Sequence, residues 1–373
     1  MKKGSVDRIF FGIVIALVVT GVIMFTSASL GILAKNETKF YGVIFNQFLF
    51  GLVGGLVALW AGFKIPYKFW RQYSLPVFIA SIGLTLLVFV PHIGLSHGGA
   101  RRWVTIFGVS FQPVEFLKIG FVMYFAGWLS WAKGRVKDLR YSVLPLFVLL
   151  GIIGLVLLRQ PDTKSLILII VAALAMLFVS GMPWKYIFAI LGISIVAFGV
   201  LVSFTPYLQQ RVNTFLHPSQ NGASSSYQLQ QSLIAVGSGG TFGRGLGQSI
   251  QKFNYLPEPQ GDSIFAVVGE ELGFLGSTIL ILMYVVFALR GYRIAHNAPD
   301  PFSKLLVIGI ITIITAQSFM NIASIIGVFP LTGVPLVFIS HGGTALLLAL
   351  GMMGIVLNIS RFQKKTPSNT PLK

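Results

Sequence analysis

The chain has 373 residues, of which 55% are hydrophobic and 10% charged, with a mean hydropathy of +0.82. That is more apolar surface than one water-exposed core hides, so lipid is the solvent for much of the chain and a soluble globular enzyme is excluded. A net charge of +18 without any groove-reading motif points to anionic lipid and not to nucleic acid, and the absence of cysteine excludes disulfides and thiolate chemistry.

A bilayer span needs about 20 apolar residues at about 1.5 Å rise each. Stretches of that kind lie near 8–28, 44–63, 73–91, 112–132, 143–158, 165–181, 186–205, 263–289, 305–328 and 334–360. The first follows Lys2, Lys3 and Arg8 but exceeds a usual signal-peptide core, and is read as a helix. The expectation is an all-α polytopic membrane protein of about ten transmembrane helices, forming a single domain over residues 1–373. With both termini cytoplasmic, the inner segments carry 18 Lys and Arg and the outer segments 9, as an even number of helices requires. Residues 361–373 are then a cytoplasmic tail.

Two outer connections are long, about 92–111 and about 206–262, the second being a large extracytoplasmic loop between helices seven and eight. Loops of this length are usually functional or disordered, and the "SLIAVGSGG" run inside the larger one favours an ordered short helix resting on the membrane. No tandem repeat is visible, and the two halves do not match as inverted copies.

Ten acids serve the whole chain, and four of them, Glu258, Asp262, Glu270 and Glu271, fall in "LPEPQGDSIFAVVGEELGFLG". Pro257, Pro259 and Gly261 place Asp262 at the mouth of the eighth helix. There it serves as a helix N-cap, as a general base at the lipid–water boundary, or as both. Glu270 and Glu271 lie about 12 Å further along, where an ionised carboxylate needs a partner or a water-filled cavity. Glu115 and Lys118 in "SFQPVEFLKIG" share a helix face at i, i+3 and are candidate partners. The group is either a structural salt-bridge cluster or the wall of a substrate cavity.

Cations mark the same end: Arg101 and Arg102 beside Trp103, and Arg159 and Lys164 around Asp162. Guanidinium groups suit bidentate phosphate contacts. Arg159, Arg211 and Arg244 are each read as an ordinary solvated loop arginine. Gln47, Gln317 and Asn321 are polar residues within spans, suited to interhelical hydrogen bonds. Pro330, Pro335, Gly342 and Gly343 loosen the start of the last span. The five histidines lack metal-ligand spacing, and there is no phosphate-binding loop.

Four separated motifs, "GARRWV…SFQPVEFLKIG", "RQPDTKS", "YQLQQSLIAVGSGGTFGRGLGQSIQKFNYLPEPQGDSIFAVVGEELGFLG" and "LTGVPLVFISHGGTALL", occur in the order found in the SEDS family (shape, elongation, division, sporulation). The chain resembles that family over nearly its whole length, about residues 8–361, and its division branch, FtsW, more than its elongation branch, RodA. The resemblance implies ten transmembrane helices and a peptidoglycan glycosyltransferase polymerising lipid II at the outer face of the bacterial plasma membrane, at the division septum. It also implies a class B penicillin-binding protein, the crosslinking transpeptidase, as partner, together with other division-machinery membrane proteins.

By position, the family's essential acid falls on Asp262, its loop arginine on Arg102 and its buried acid–base pair on Glu115 and Lys118. Substrate-binding candidates are Arg101, Arg102, Gln112, Glu115, Lys118, Glu258, Glu271, Ser340, Gly342 and Gly343, with no metal ligand among them. The chain departs from the family in having Gly261-Asp262-Ser263 for Thr-Asp-Phe, His341 for Tyr and Val337 for Pro, which leaves the acid in place and alters its surroundings.

The implied chemistry is one inverting displacement, with Asp262 as base and the leaving pyrophosphate stabilised by Arg102, Lys118 and Arg101, alone or with a divalent cation, Mg or Mn. The polyprenyl tail is expected in a groove near 229–237, with Glu115 and Lys118 at its polar end. The rivals are a lipid II flippase, which would use the intramembrane charges as a path, an elongation-type polymerase, and a non-catalytic scaffold.

Overall fold

In the computed structural model, residues 4–97, 100–106, 109–217 and 224–363 are described. The chain runs α1 (Arg8–Leu33), α2 (Glu37–Phe45), a π-helical stretch (Asn46–Val53), α3 (Gly54–Lys64), α4 (Tyr67–Gln72) and α5 (Ser74–Leu86). A small sheet follows: β1 (Gly94–His97), β2 (Ala100–Ile106) and β3 (Val109–Phe111). Then come α6 (Pro113–Trp131), α7 (Leu139–Arg159), α8 (Thr163–Val179), α9 (Trp184–Phe204), α10 (Pro206–Leu216), α11 (Ser224–Ser238) and the short α12 (Gln251–Asn254). The chain closes with α13 (Ile264–His296), α14 (Pro301–Ile325) and α15 (Gly343–Ser360).

Among the described residues seven helices are long and apolar enough to cross a membrane: Arg8–Leu33, Glu37–Lys64, Leu139–Arg159, Trp184–Phe204, Ile264–His296, Pro301–Ile325 and Gly343–Ser360. Ser74–Phe89 and Thr163–Val179 are shorter apolar helices, and Pro113–Trp131 carries Glu115 and Lys118. The outer faces of α1, α3 and α9 expose large apolar side chains, Phe204 being 82% exposed, while α14 is buried along most of its length. Exposed apolar walls around a buried central helix are what a lipid solvent selects. The chain is a multi-pass membrane protein.

Helix starts are fixed by acids. Asp7 accepts from Phe10 N at 3.0 Å, Asp138 from Arg140 N at 3.0 Å, and Asp162 from Ser165 Oγ at 2.8 Å. Asp300 closes a capping box with Ser303 ahead of α14, with Pro301 at the first helical position. The first and last described segments meet at one end of the bundle: Gly4 N donates to Arg361 O at 2.7 Å, and Arg290 pairs with Asp7 at 3.0 Å.

Two expectations change at the opposite end. The 92–111 connection is not plain loop. It folds as antiparallel β1–β2–β3, with Leu95 opposite Trp103 and Val104 opposite Phe111, so the all-α reading gains a three-stranded sheet. The last span does not begin at 334. Residues 330–336 have no regular structure and α15 starts at Gly343, because Pro335 and a positive φ at Phe338 interrupt the helix.

α13 is itself broken. Gly273 has φ 67 and ψ −163, a conformation open to glycine and not to other residues. Segment 240–245 threads into the break: Arg244 N and Gly245 N donate to the carbonyls of Glu270 and Glu271, both at 3.0 Å, while Phe274 N donates to Gly240 O at 2.9 Å. Each strand of backbone satisfies the polar groups that the other leaves open, as a buried helix break requires.

Candidate active site

The irregular stretch between α14 and α15 is held by side chains from five helices. Arg211 of α10 donates to Leu331 O and Lys164 of α8 to Gly333 O. On α14, Asn321 donates to Val334 O at 2.7 Å and Gln317 to Pro335 O at 3.2 Å. Tyr284 of α13 donates to Val337 O, and Gln47 accepts from Gly342 N at 3.0 Å. The three span-borne polar residues therefore satisfy backbone, as expected of such groups in lipid.

Three of those side chains, Arg211, Lys164 and Asn321, also stand around Asp262. Asn321 donates from the same Nδ2 to Asp262 O at 2.7 Å, and Gln228 of α11 donates to Asp262 Oδ1 at 3.3 Å. A methyl group built on Gly333, whose φ is +63, would lie 3.2 Å from Asp262 Oδ2, 3.7 Å from Arg211 and 3.8 Å from Lys164 Nζ. Three charged groups thus converge on one backbone corner. Arg102 on β2 bonds Gln160 O at 3.2 Å and Pro161 O, close enough to act electrostatically on both Lys164 and Arg211.

Asp262 does not cap α13: Ser263 occupies the cap position, with no side-chain bond to the helix. The capping use therefore falls away. Burial pushes the Asp262 carboxyl above the usual carboxylate range; Lys164 opposes that push and Glu258 adds to it. Glu258 is exposed at φ 44 in the turn before α13, accepts from Gln260 at 3.0 Å, and anchors the turn through its carbonyl to Gly261 N at 2.9 Å.

Glu115 and Lys118 pair at 2.8 Å, both buried, and Lys118 donates to Gln317 at 2.6 Å. Gln317 and Asn321 are one helical turn apart on α14, so the buried pair lies about one turn, roughly 5.4 Å along the axis, from the residue that anchors Asp262. On the neighbouring face of α6, Phe116, Ile119 and Met123 help line an apolar cavity of about 520 Å³ with residues of α3, α5 and α15. That cavity lies apart from 229–237, where the tail groove was expected; there Leu229 and Ala235 are buried on α11 and Leu233 and Ile234 are exposed.

Other candidates stand apart. Arg101 is exposed, and Gln112 precedes α6 without capping it. Ser340 accepts from Leu336 N at 2.8 Å, while Gly342 and Gly343 pack the start of α15 against Gln47 and Asn46. Glu271 serves a different cluster: it pairs with Lys252 at 2.7 Å, both fully buried, and accepts from Ser27 at 2.7 Å. Glu270 accepts from Ser249 Oγ at 2.5 Å and Ile250 N at 3.0 Å, and faces Arg244 at 3.6 Å. The partners of these two acids are thus Ser27 and residues of 244–252, and not Glu115 and Lys118. Gln228 is a site residue that sequence reasoning did not name, Arg211 is one it read as a solvated loop arginine, and Lys164, marked only as a cation at the same end beside Asp162, is brought into the site by the structure.

A multi-pass membrane protein with a cationic, half-buried carboxylate site at the end remote from its termini is the class that fold and site define. The family model described as Cell cycle protein, covering FtsW, RodA and SpoVE, matches residues 7–365, and the chain belongs to that family. It is 36% identical over 97% of its length to a protein named probable peptidoglycan glycosyltransferase FtsW from Geobacter sulfurreducens, covering 96% of it. It is 37% identical to stage V sporulation protein E of Bacillus subtilis, over 97% of this chain and 99% of that one. Among solved structures, a chain of a peptidoglycan synthase complex has the same fold at a TM-score of 0.79 and 24% identity, over 97% and 99% of the two chains. RodA of Thermus thermophilus follows at 0.70 and 24%, over 96% and 98%.

Proposed function

We propose that this chain is a peptidoglycan glycosyltransferase of cell division, polymerising lipid II at the outer face of the plasma membrane, with Asp262 as general base. Ten helices span the bilayer with both termini cytoplasmic, so the end carrying the sheet, α10–α12 and Asp262 faces outward. The contact of Gly4 with Arg361 supports an even number of crossings, and the Lys and Arg bias of the loops supports the direction.

The observation that carries the reading is how the ten acids are used. Asp7, Asp138, Asp162 and Asp300 cap helices, Glu37 sits in the first turn of α2, and Glu115, Glu270 and Glu271 are paired or multiply bonded. Glu258 builds the turn. Asp262 is a half-buried carboxylate that accepts a long contact from Gln228, at 3.3 Å, amid cations. Its task lies with a ligand.

In the displacement, Asp262 takes the proton of the acceptor 4-hydroxyl as that oxygen attacks the donor's anomeric carbon. The bond to the pyrophosphate breaks, and the departing anion needs countercharge more than a proton, which Arg102, Lys164 and Arg211 are placed to give. The buried Glu115–Lys118 pair forms the polar floor, and the apolar cavity beside α6 offers room for a prenyl tail. Among the described residues no three His, Asp or Glu side chains converge, so the residues present do not by themselves build a site for Mg or Mn. A class B penicillin-binding protein is the partner this reading needs, since polymerised strands must be crosslinked, and the septum is the place of action.

A flippase needs a polar path through both leaflets, whereas the polar residues gathered around Asp262 all lie at one end. The test is purified protein with lipid II: Asp262→Asn should lose at least about 100-fold in polymerisation. Glycan strands formed by that variant at the parent rate would remove the base.

A further inference from the structure

Lys164 lies in the first turn of α8, two residues after the capping Asp162, and is half-buried. Its ammonium has three protons to donate, and Gly333 O takes one. Through the Gly333 corner it shares with Asp262 it faces that carboxylate, while Asp162, two residues before it, also acts on it electrostatically and is itself engaged by Ser165 Oγ at 2.8 Å.

Arg211 is less free to follow the base, being tied to Leu331 O and stacked over Tyr207 at 4.6 Å. We propose that Lys164 is a positioning residue for the base, its ammonium being the countercharge that keeps the Asp262 carboxylate ionised and fixed beside Gly333. This rests on the reading of Asp262 as base.

The physical need is plain. Burial favours a neutral carboxyl, and a neutral carboxyl takes no proton. Lys164 is the strongest charge opposing that push; Glu258, from the turn, reinforces it, and Arg211, from α10, opposes it more weakly. From β2, Arg102 bears on Lys164 and Arg211, as Asp162 does on Lys164 and Tyr207 on Arg211. The neutral Gln228 and Asn321 complete the ring. As Asp262 gains the acceptor's proton it loses its charge, and Lys164 is left with unspent positive charge facing the departing diphosphate.

The experiment measures kcat/KM for lipid II polymerisation against pH with the full chain. Wild type is compared with Lys164→Gln and Lys164→Arg, and with Lys164→Cys capped by a neutral methyl or a cationic aminoethyl disulfide. The chain has no other cysteine, so capping is confined to this position. Removing the charge should move the acid limb to higher pH by about one unit or more, and arginine or the cationic cap should return it. Two neutral variants guard against misfolding of either. Identical limbs for neutral and cationic side chains overturn the inference while leaving the base in place. The base itself falls only if Asp262→Asn, run alongside, keeps the parent rate.

Discussion

Lys252→Met tests whether the buried cluster behind the site is the anchor of the 244–262 segment. Lys252 Nζ lies 2.7 Å from Glu271, 3.0 Å from Ser27 Oγ and 2.8 Å from Gly247 O, with no exposure of either charged side chain. At 2.7 Å and an effective dielectric near 20, the bare attraction is about 6 kcal/mol, most of it offset by desolvation. Deleting only the cation leaves Glu271 charged and buried with Ser27 and the Ser249 amide as partners, at a cost of about 3–5 kcal/mol. Glu271→Gln on its own costs less, because the amide oxygen can still accept from Lys252, which also keeps Ser27 Oγ and Gly247 O. The double variant should recover part of the loss, since the uncompensated charge is gone. Unfolding in mixed micelles across the four-member cycle measures this. A Lys252→Met loss below about 1 kcal/mol, or a cycle without coupling, would refute the anchor.

Two further outcomes follow from the site. Gly333→Ala places a methyl 3.2 Å from Asp262 Oδ2 at φ +63, so it should cost about 1–2 kcal/mol and most of the polymerase activity; normal turnover and stability would show that the corner is not crowded. Lys118→Met strands the buried Glu115 and releases Gln317, and turnover should fall with stability; Glu115→Gln combined with it should restore stability more than activity if the pair contributes to the substrate site.

The sequence made the local relations legible and left the distant ones hidden. Apolar runs located the helices because lipid imposes a length, and Glu115–Lys118 was readable because i, i+3 spacing on a helix fixes a face. Lys164 reaches Gly333 over a separation of 169 residues and Arg211 reaches Leu331 over 120, and no spacing rule announces such contacts. Arg211 therefore looked like any solvated loop arginine. Hydropathy also misplaced the start of the last helix: "VPLVFIS" is apolar enough for a span, but hydropathy does not register where backbone is unwound and satisfied by side chains. Lys252 escaped notice for the same reason as Arg211, its partner Glu271 lying across the turn that carries Asp262.

The unwound 330–342 stretch ties side chains of several helices to one segment. A backbone carbonyl left open in an apolar environment costs several kcal/mol, so each one there had to find a donor. Arg211, Lys164, Asn321 and Gln317 supply them from three helices, and in doing so the first three become fixed around Asp262. Their charges and amides are aimed before any substrate arrives, which is the condition for electrostatic stabilisation without reorganisation. If Asp262 is the base, as proposed, the positions that solve the folding problem of an irregular segment in a bilayer are also the positions that preorganise the chemistry. A substitution at Arg211, Lys164 or Asn321 should therefore act on stability and on turnover together, whereas Asp262→Asn, whose amide oxygen can still accept from Gln228 while the charge facing Lys164 and Arg211 is removed, should act on turnover far more than on stability.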